Sequence, residues 1–159
     1  MDGMFPLGPG ISRVRGIVSI VKQNNGHIGI SKLAEEAEED IDDLLPLIEA
    51  CKLLGFAEVD ETEVKLTDKG SKLTFSNFSK LISEGLIDIE PFKSSVKIMD
   101  GRKVSTRELF GTLRSRGIML HSDEPMNDIL LKKLLIRWGV RSKLLNYDQE
   151  KDLWSRRKS

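Results

Sequence analysis

The chain has 159 residues, 39% of them hydrophobic and 31% charged, with a formal net charge of zero. That apolar share excludes a disordered chain, and 13 Gly with a single Cys exclude collagen-like and disulfide-stapled classes. The longest apolar runs, Leu44-Leu45-Pro46-Leu47-Ile48 and Ile129-Leu130-Leu131, fall far short of the roughly 18 residues a membrane span needs, so no membrane insertion is expected. The opening Met1-Asp2-Gly3-Met4-Phe5-Pro6 has neither a basic nor an apolar signal region, so no signal peptide is expected. One unpaired thiol suits a reducing compartment, and the expected location is cytoplasmic.

Charge is unevenly spread. Residues 1–80 hold 9 Lys and Arg against 14 Asp and Glu, a net of −5; residues 81–159 hold 16 against 11, a net of +5. An acidic front and a basic back suggest two units with different partners.

After a Gly/Pro-rich stretch ending at Gly10, Ser12 is the expected cap of a helix to about Asn24, with Val14, Ile17, Val18 and Val21 on one side. Asn24-Asn25-Gly26 stops it. Ile28-Gly29-Ile30 reads as a short extended piece, and Ser31 as the cap of a second helix to about Glu39. A third helix is expected from a cap at Asp42 or Asp43, with Pro46 in its first turn and Gly55 as its stop. Phe56–Val59 and Val64–Leu66 read as strands joined by the turn Asp60-Glu61-Thr62-Glu63. Thr67-Asp68-Lys69-Gly70 then starts a helix to about Ser83.

The same order returns downstream. Pro91, as a first helical residue, opens a helix to about Met99; Asp100-Gly101 turns the chain; Val104 is extended. Ser105 and Glu108 form a capping box for a helix ending at Gly117. Ser122 or Asp123 caps a third helix, with Pro125 in its first turn, that ends at Trp138-Gly139. Leu144–Tyr147 and Leu153–Ser155 flank the turn Asp148–Asp152. Helix, short strand, helix, helix and hairpin is the winged-helix order. The expected fold is therefore mainly α with small β-hairpins (α+β), as two tandem winged-helix-like units. The segments are a tail at 1–10, unit one with its linker helix at 11–84, and unit two at 85–159.

Four segments carry a resemblance to a known family: Ile11–Ile17, Asp40–Ala50, Leu53–Val59 and Val64–Gly70. Together they resemble the AAA-associated C-terminal domain, an appendage of some ABC-transporter ATPases assigned to nitrate, sulfonate or bicarbonate uptake, and also a stand-alone protein, notably in archaea. The resemblance is dense over about residues 11–75 and looser to about 155, where Trp138-Gly139 and Asn146-Tyr147-Asp148 match. It implies a non-catalytic, regulatory appendage. Gly8-Pro9-Gly10 lacks the Lys and Ser/Thr of a phosphate-binding loop, so this chain is not expected to be the ATPase itself.

A winged helix suggests DNA, and charge decides whether that works. On a wheel at about 100° per residue, Leu44, Ile48 and Cys51 mark the core side of the third helix, with Ile41, Leu45 and Leu47 flanking it. The opposite side carries Asp42, Pro46, Glu49, Ala50 and Leu53. Two carboxylates there and three more in the turn after it repel phosphate; Asp42, Glu49 and Leu53 are instead candidates for a protein contact. In unit two, Leu130, Leu131, Leu134, Leu135 and Trp138 share the core face, while Ile129, Lys132, Lys133 and Ile136 face away. With Arg137, Arg141, Lys143, Arg156, Arg157 and Lys158 the cations suit phosphate, whereas Ile129 and Ile136 suit a protein interface.

Little supports an enzyme or a cofactor. His27, His121 and Cys51 are too few and too far apart for a structural zinc site. Cys51 falls on an apolar face and reads as a buried thiol. Glu35–Asp40 lacks calcium-loop spacing and reads as a solvated face. Trp138, Tyr147 and Trp154 read as anchors of a small core rather than base-stacking platforms. The leading expectation is a non-enzymatic regulatory or interaction module with no cofactor and no metal. Its partner is a protein, with an ABC-transporter ATPase as one candidate, or a second copy of itself. The alternative is a DNA-binding regulator acting through residues 122–158.

Overall fold

A computed structural model of the chain describes residues 5–6, 8–118 and 127–157. Two compact units are present, residues 8–78 and residues 79–157 with residues 5–6.

In the first unit, helix α1 spans Ile11–Gln23 and buries Val14, Ile17, Val18 and Val21, as the spacing requires. Its N-cap is Gly10, whose carbonyl accepts the Val14 N–H at 3.2 Å; Ser12 is exposed and caps nothing. Asn25 (φ 64°) and Gly26 (φ 89°) turn the chain out of the helix. Strand β1 is His27–Gly29. Ile30, expected to be extended, begins α2 (Ile30–Ala37). Its N–H already meets the Thr62 carbonyl at 2.8 Å, so the backbone bends at Gly29 and Ser31 is not the cap. Glu38 (φ 55°) ends α2.

Helix α3 spans Ile41–Leu53 and is capped by Asp40, not by Asp42 or Asp43. The cap is backbone only: the Asp40 carbonyl accepts the Asp43 and Leu44 N–H groups, both at 3.0 Å. Pro46 consequently lies in the second turn, where its missing N–H removes one helical bond. At the far end Gly55 (φ 82°) permits a Schellman closure, with Phe56 N–H to Cys51 O at 2.9 Å and Gly55 N–H to Lys52 O at 3.0 Å. Strands β2 (Ala57–Val59) and β3 (Glu63–Leu66) follow, and the antiparallel sheet runs β1-β3-β2 with Val64 opposite both Ile28 and Val59. Asp60 Oδ1 holds the turn by accepting the Thr62 and Glu63 N–H groups at 2.9 and 2.8 Å.

The single helix expected from Thr67 to Ser83 is two helices. Short α4 (Asp68–Ser71), capped by the Thr67 hydroxyl, is separated from α5 (Phe78–Leu86). Asn77 makes the break by accepting the Thr74 N–H at 2.7 Å and donating to the Lys72 carbonyl at 2.8 Å. These side-chain bonds compete with the helical ladder.

In the second unit, Pro91 is the N-cap of α6 (Phe92–Ile98) rather than its first residue. The Glu90 carboxylate there accepts the Ser94 N–H at 2.9 Å and its hydroxyl at 2.7 Å. Val104 bridges to Trp154. Helix α7 (Thr106–Ser115) has half of the expected capping box: Ser105 Oγ accepts the Glu108 N–H at 3.1 Å, but the Glu108 carboxylate turns to Arg102 at 2.9 Å. Gly117 (φ 75°) closes α7 by a second Schellman pair, Ile118 to Leu113 and Gly117 to Arg114, both 3.0 Å. Expected caps at Ser122 and Asp123, with Pro125, lie outside the described residues. Helix α8 spans Asp128–Leu134 behind an Asn127 cap and continues as a π-helical turn, Leu135–Val140, past the expected stop at Gly139. Strands β4 (Leu145–Asp148) and β5 (Leu153–Arg156) pair antiparallel, with Tyr147 opposite Trp154. The core gathers Phe92, Trp138 and Trp154, and fully buried Phe5 sits edge-on to Trp138 with ring centroids 4.5 Å apart.

Gly70 passes so close to the Phe56 carbonyl that a Cβ there overlaps backbone, which cannot rotate away. Gly70→Ala is expected to cost about 1–3 kcal/mol in urea unfolding. Gly111→Ala, in a helix with open space around it, is expected to gain up to about 1 kcal/mol.

Candidate functional surfaces

On α3 the buried stripe is Leu44, Leu47, Ile48 and Cys51, with Ala50 also fully buried. The helix is rotated from its expected phase, because the stripe is centred nearer Leu47. Ala50, expected to face outward, is therefore inside. Ile41 and Leu45, expected beside the core, are 46% and 47% exposed. Asp42 is exposed as expected, Asp43 beside it likewise, and Glu49 and Leu53 are half-buried. The outward face thus reads Ile41, Leu45, Glu49, Leu53 along one row of the helix, rimmed by Asp42 and Asp43. None of these carboxylates is ion-paired among the described residues. Burial pushes the Cys51 thiol up to about 12, so it stays protonated and inert.

The same unit carries a smaller depression, about 390 Å³, along α1 between Gly16, Ser19 and Phe75. Phe75 is 81% exposed, and the Arg15 guanidinium lies 4.9 Å from its ring centre.

In the second unit the α8 cations do not form one strip. Lys132, expected to point outward, folds onto Tyr147 with its ammonium 5.1 Å from the ring centre. A hydrogen bond to the Tyr147 hydroxyl holds its pKa above the usual lysine range, with a smaller push from the Asp152 charge. Lys133, Arg137 and Arg141 are exposed, as are Ile129 and Ile136, whereas Leu130, expected in the core, is half-buried.

A different set of cations converges. Lys143, Arg156 and Arg157 line a groove of about 970 Å³ together with Arg102 and Lys103. Its floor includes Ile87, Met99 and Leu144, and Glu84 and Asp100 are its acids. Every residue lining it belongs to residues 79–157. Arg102 is held in place by Glu108 and by donating to the Ile98 carbonyl at 3.1 Å. Sequence reasoning missed Arg102 and Lys103; the signal available was a basic pair directly after the Asp100-Gly101 turn. Lys158 lies outside the described residues, as does His121.

The hairpin that supplies half of this groove is tied down by a polar cluster. Asp152 (φ 52°) accepts the Thr106 hydroxyl at 2.5 Å and the Tyr147 hydroxyl at 2.7 Å, and Trp154 Nε1 donates to Thr106 Oγ1 at 2.8 Å. The hydrogen bonds from Thr106, then that from Tyr147, hold the Asp152 carboxyl below the usual carboxylate range.

Among the described residues no His, Cys, Asp or Glu cluster is arranged to hold a metal ion, and no helix is long and apolar enough to cross a membrane. A family model described as the C-terminal AAA-associated domain matches residues 31–148, well over half of the chain. No curated protein and no solved structure matches it.

Because the folded Asp152 has a depressed pKa, its contribution to stability is present above the unfolded-state value of about 3.9 and is lost as pH falls through the folded value. Asp152→Ala is expected to lower stability by about 1–3 kcal/mol at neutral pH. The gap from the parent protein narrows below about pH 4 in urea unfolding followed by Trp fluorescence.

Proposed function

The chain belongs to the C-terminal AAA-associated domain family, and from that membership and its surfaces we propose that it is a non-enzymatic docking module for an ATPase partner. In this reading residues 8–78 are a winged helix: α1, β1, α2 and α3, then the β2–β3 hairpin with β1 added at its edge. Residues 79–157 are a looser copy built on α6, the Val104 bridge, α7, α8 and β4–β5.

The observation that carries the docking reading is the outward row of α3. Ile41 and Leu45 leave apolar side chains in water beside Asp42, Asp43 and Glu49. In a DNA-reading winged helix this is the helix that enters the major groove, and carboxylates with isoleucine and leucine make a poor match to phosphate. The same mixture suits a protein surface with an apolar centre and a basic rim. Its fit is to an ATPase subunit, in keeping with the family's description, and the ABC-transporter context implied by the resemblance names the class to test first.

Affinity capture from the source cell, with partners identified by mass spectrometry, tests this. The intact chain is expected to retain an ATPase subunit, and the pair Leu45→Lys with Glu49→Lys to lose it by tenfold or more. Retention of duplex DNA by the intact chain, with no ATPase and no effect of the α3 pair, contradicts the proposal.

A further inference from the structure

We propose that the groove lined by Arg102, Lys103, Lys143, Arg156 and Arg157 is a binding site for a small polyphosphate ligand, a class that includes nucleoside triphosphates and inorganic triphosphate. This goes beyond the docking reading and concerns the other unit.

Three observations carry it. First, the cations come from three separate stretches of chain: the α6–α7 turn, the short link between the π-helical turn and β4, and the end of β5. Five positive side chains face two acids, Glu84 and Asp100, so the groove keeps a net positive charge. Bringing like charges together costs Coulomb energy that an anionic occupant relieves. Second, the site is concave. A volume of about 970 Å³ is at the upper end of the range for small-molecule sites. A duplex is instead read by an element that projects into it. Third, the groove is not uniformly charged. Ile87, Met99 and Leu144 give it an apolar floor, and Asn146, Ser83 and Ser155 supply uncharged hydrogen-bonding groups. Cations around an apolar floor suit linked phosphates carried on an organic body.

The groove is also pre-formed on one side. The Arg102 guanidinium is already oriented by Glu108 and by the Ile98 carbonyl. Lys103, Lys143, Arg156 and Arg157 are exposed and make no ion pair among the described residues. Arg102 is therefore fixed in place, and the other four are left to meet phosphate oxygens.

Isothermal titration of the full chain at low salt, with ATP, inorganic triphosphate, adenosine and a 12-base-pair duplex as separate probes, tests the assignment. ATP and triphosphate are expected to bind saturably and adenosine not to bind. Tighter binding of ATP than of triphosphate places the organic body on the apolar floor; equal binding places all recognition on the phosphates. Lys103→Glu is expected to weaken both about tenfold or more. Lys103→Gln, which removes charge without adding any, is expected to weaken them less, and Lys133→Glu, outside the groove, to leave them unchanged. Each variant's thermal melt is checked against the parent. Three results overturn the proposal: no binding of ATP or triphosphate at millimolar concentration, equal weakening by Lys133→Glu and Lys103→Glu, or binding of the duplex alone.

Discussion

The carboxylate of Asp152 is the interaction on which the basic unit depends. It sits in the β4–β5 turn and reaches Thr106 at the start of α7 and Tyr147 on β4, while Trp154 on β5 closes the ring through the Thr106 hydroxyl. A two-stranded hairpin is marginal by itself in water. Here it is held to a helix by charge-assisted bonds and by a buried indole. The Val104–Trp154 bridge adds a backbone pair, with N···O distances of 3.0 and 2.7 Å. Because the hairpin is fixed, Arg156 and Arg157 at its end are brought to Lys143 and to the Arg102–Lys103 pair. The groove is thus a product of tertiary anchoring rather than of any local motif.

In the acidic unit the corresponding constraint is close backbone approach. Gly70 lies against the Phe56 carbonyl, and Phe56 is itself placed by the Schellman closure of α3. The Thr67 hydroxyl adds a bond to the Gly55 carbonyl at 2.6 Å. These contacts set where the hairpin leaves α3. The phase of α3 is set by its buried stripe, and that phase decides which side chains are left exposed.

Much of the element order was legible in the sequence, because its signals are local. Gly55 and Gly117 stop helices since each takes a positive φ, and Ser105 caps α7 by reaching the Glu108 N–H. The family resemblance was equally legible, in Asp40–Ala50 and Leu53–Val59, and the family match confirms it. What failed was set by neighbours. The helix caps fell two or three residues early, at Gly10, Gly29 and Asp40, where backbone carbonyls did the work expected of side chains. The α3 wheel placed Ala50 outside and Ile41 beside the core because apolar residues surround so much of the helix that they leave its phase undecided. Lys132 was expected in water, but Tyr147 lies within its reach once the hairpin folds back. No spacing rule joins Arg102 to Arg156, which lie 54 positions apart and meet only through Val104 and Trp154.

The two units therefore carry different tasks in this account: an apolar, acid-rimmed helix face in one, a cation-lined groove in the other. Amide resonances of the full chain during a titration with inorganic triphosphate test that division most directly. The account predicts shifts confined to residues 102–103, 143–146 and 155–157, with Ile41–Leu53 unmoved. Shifts centred on Lys133 and Arg137, or spread along α3, contradict it.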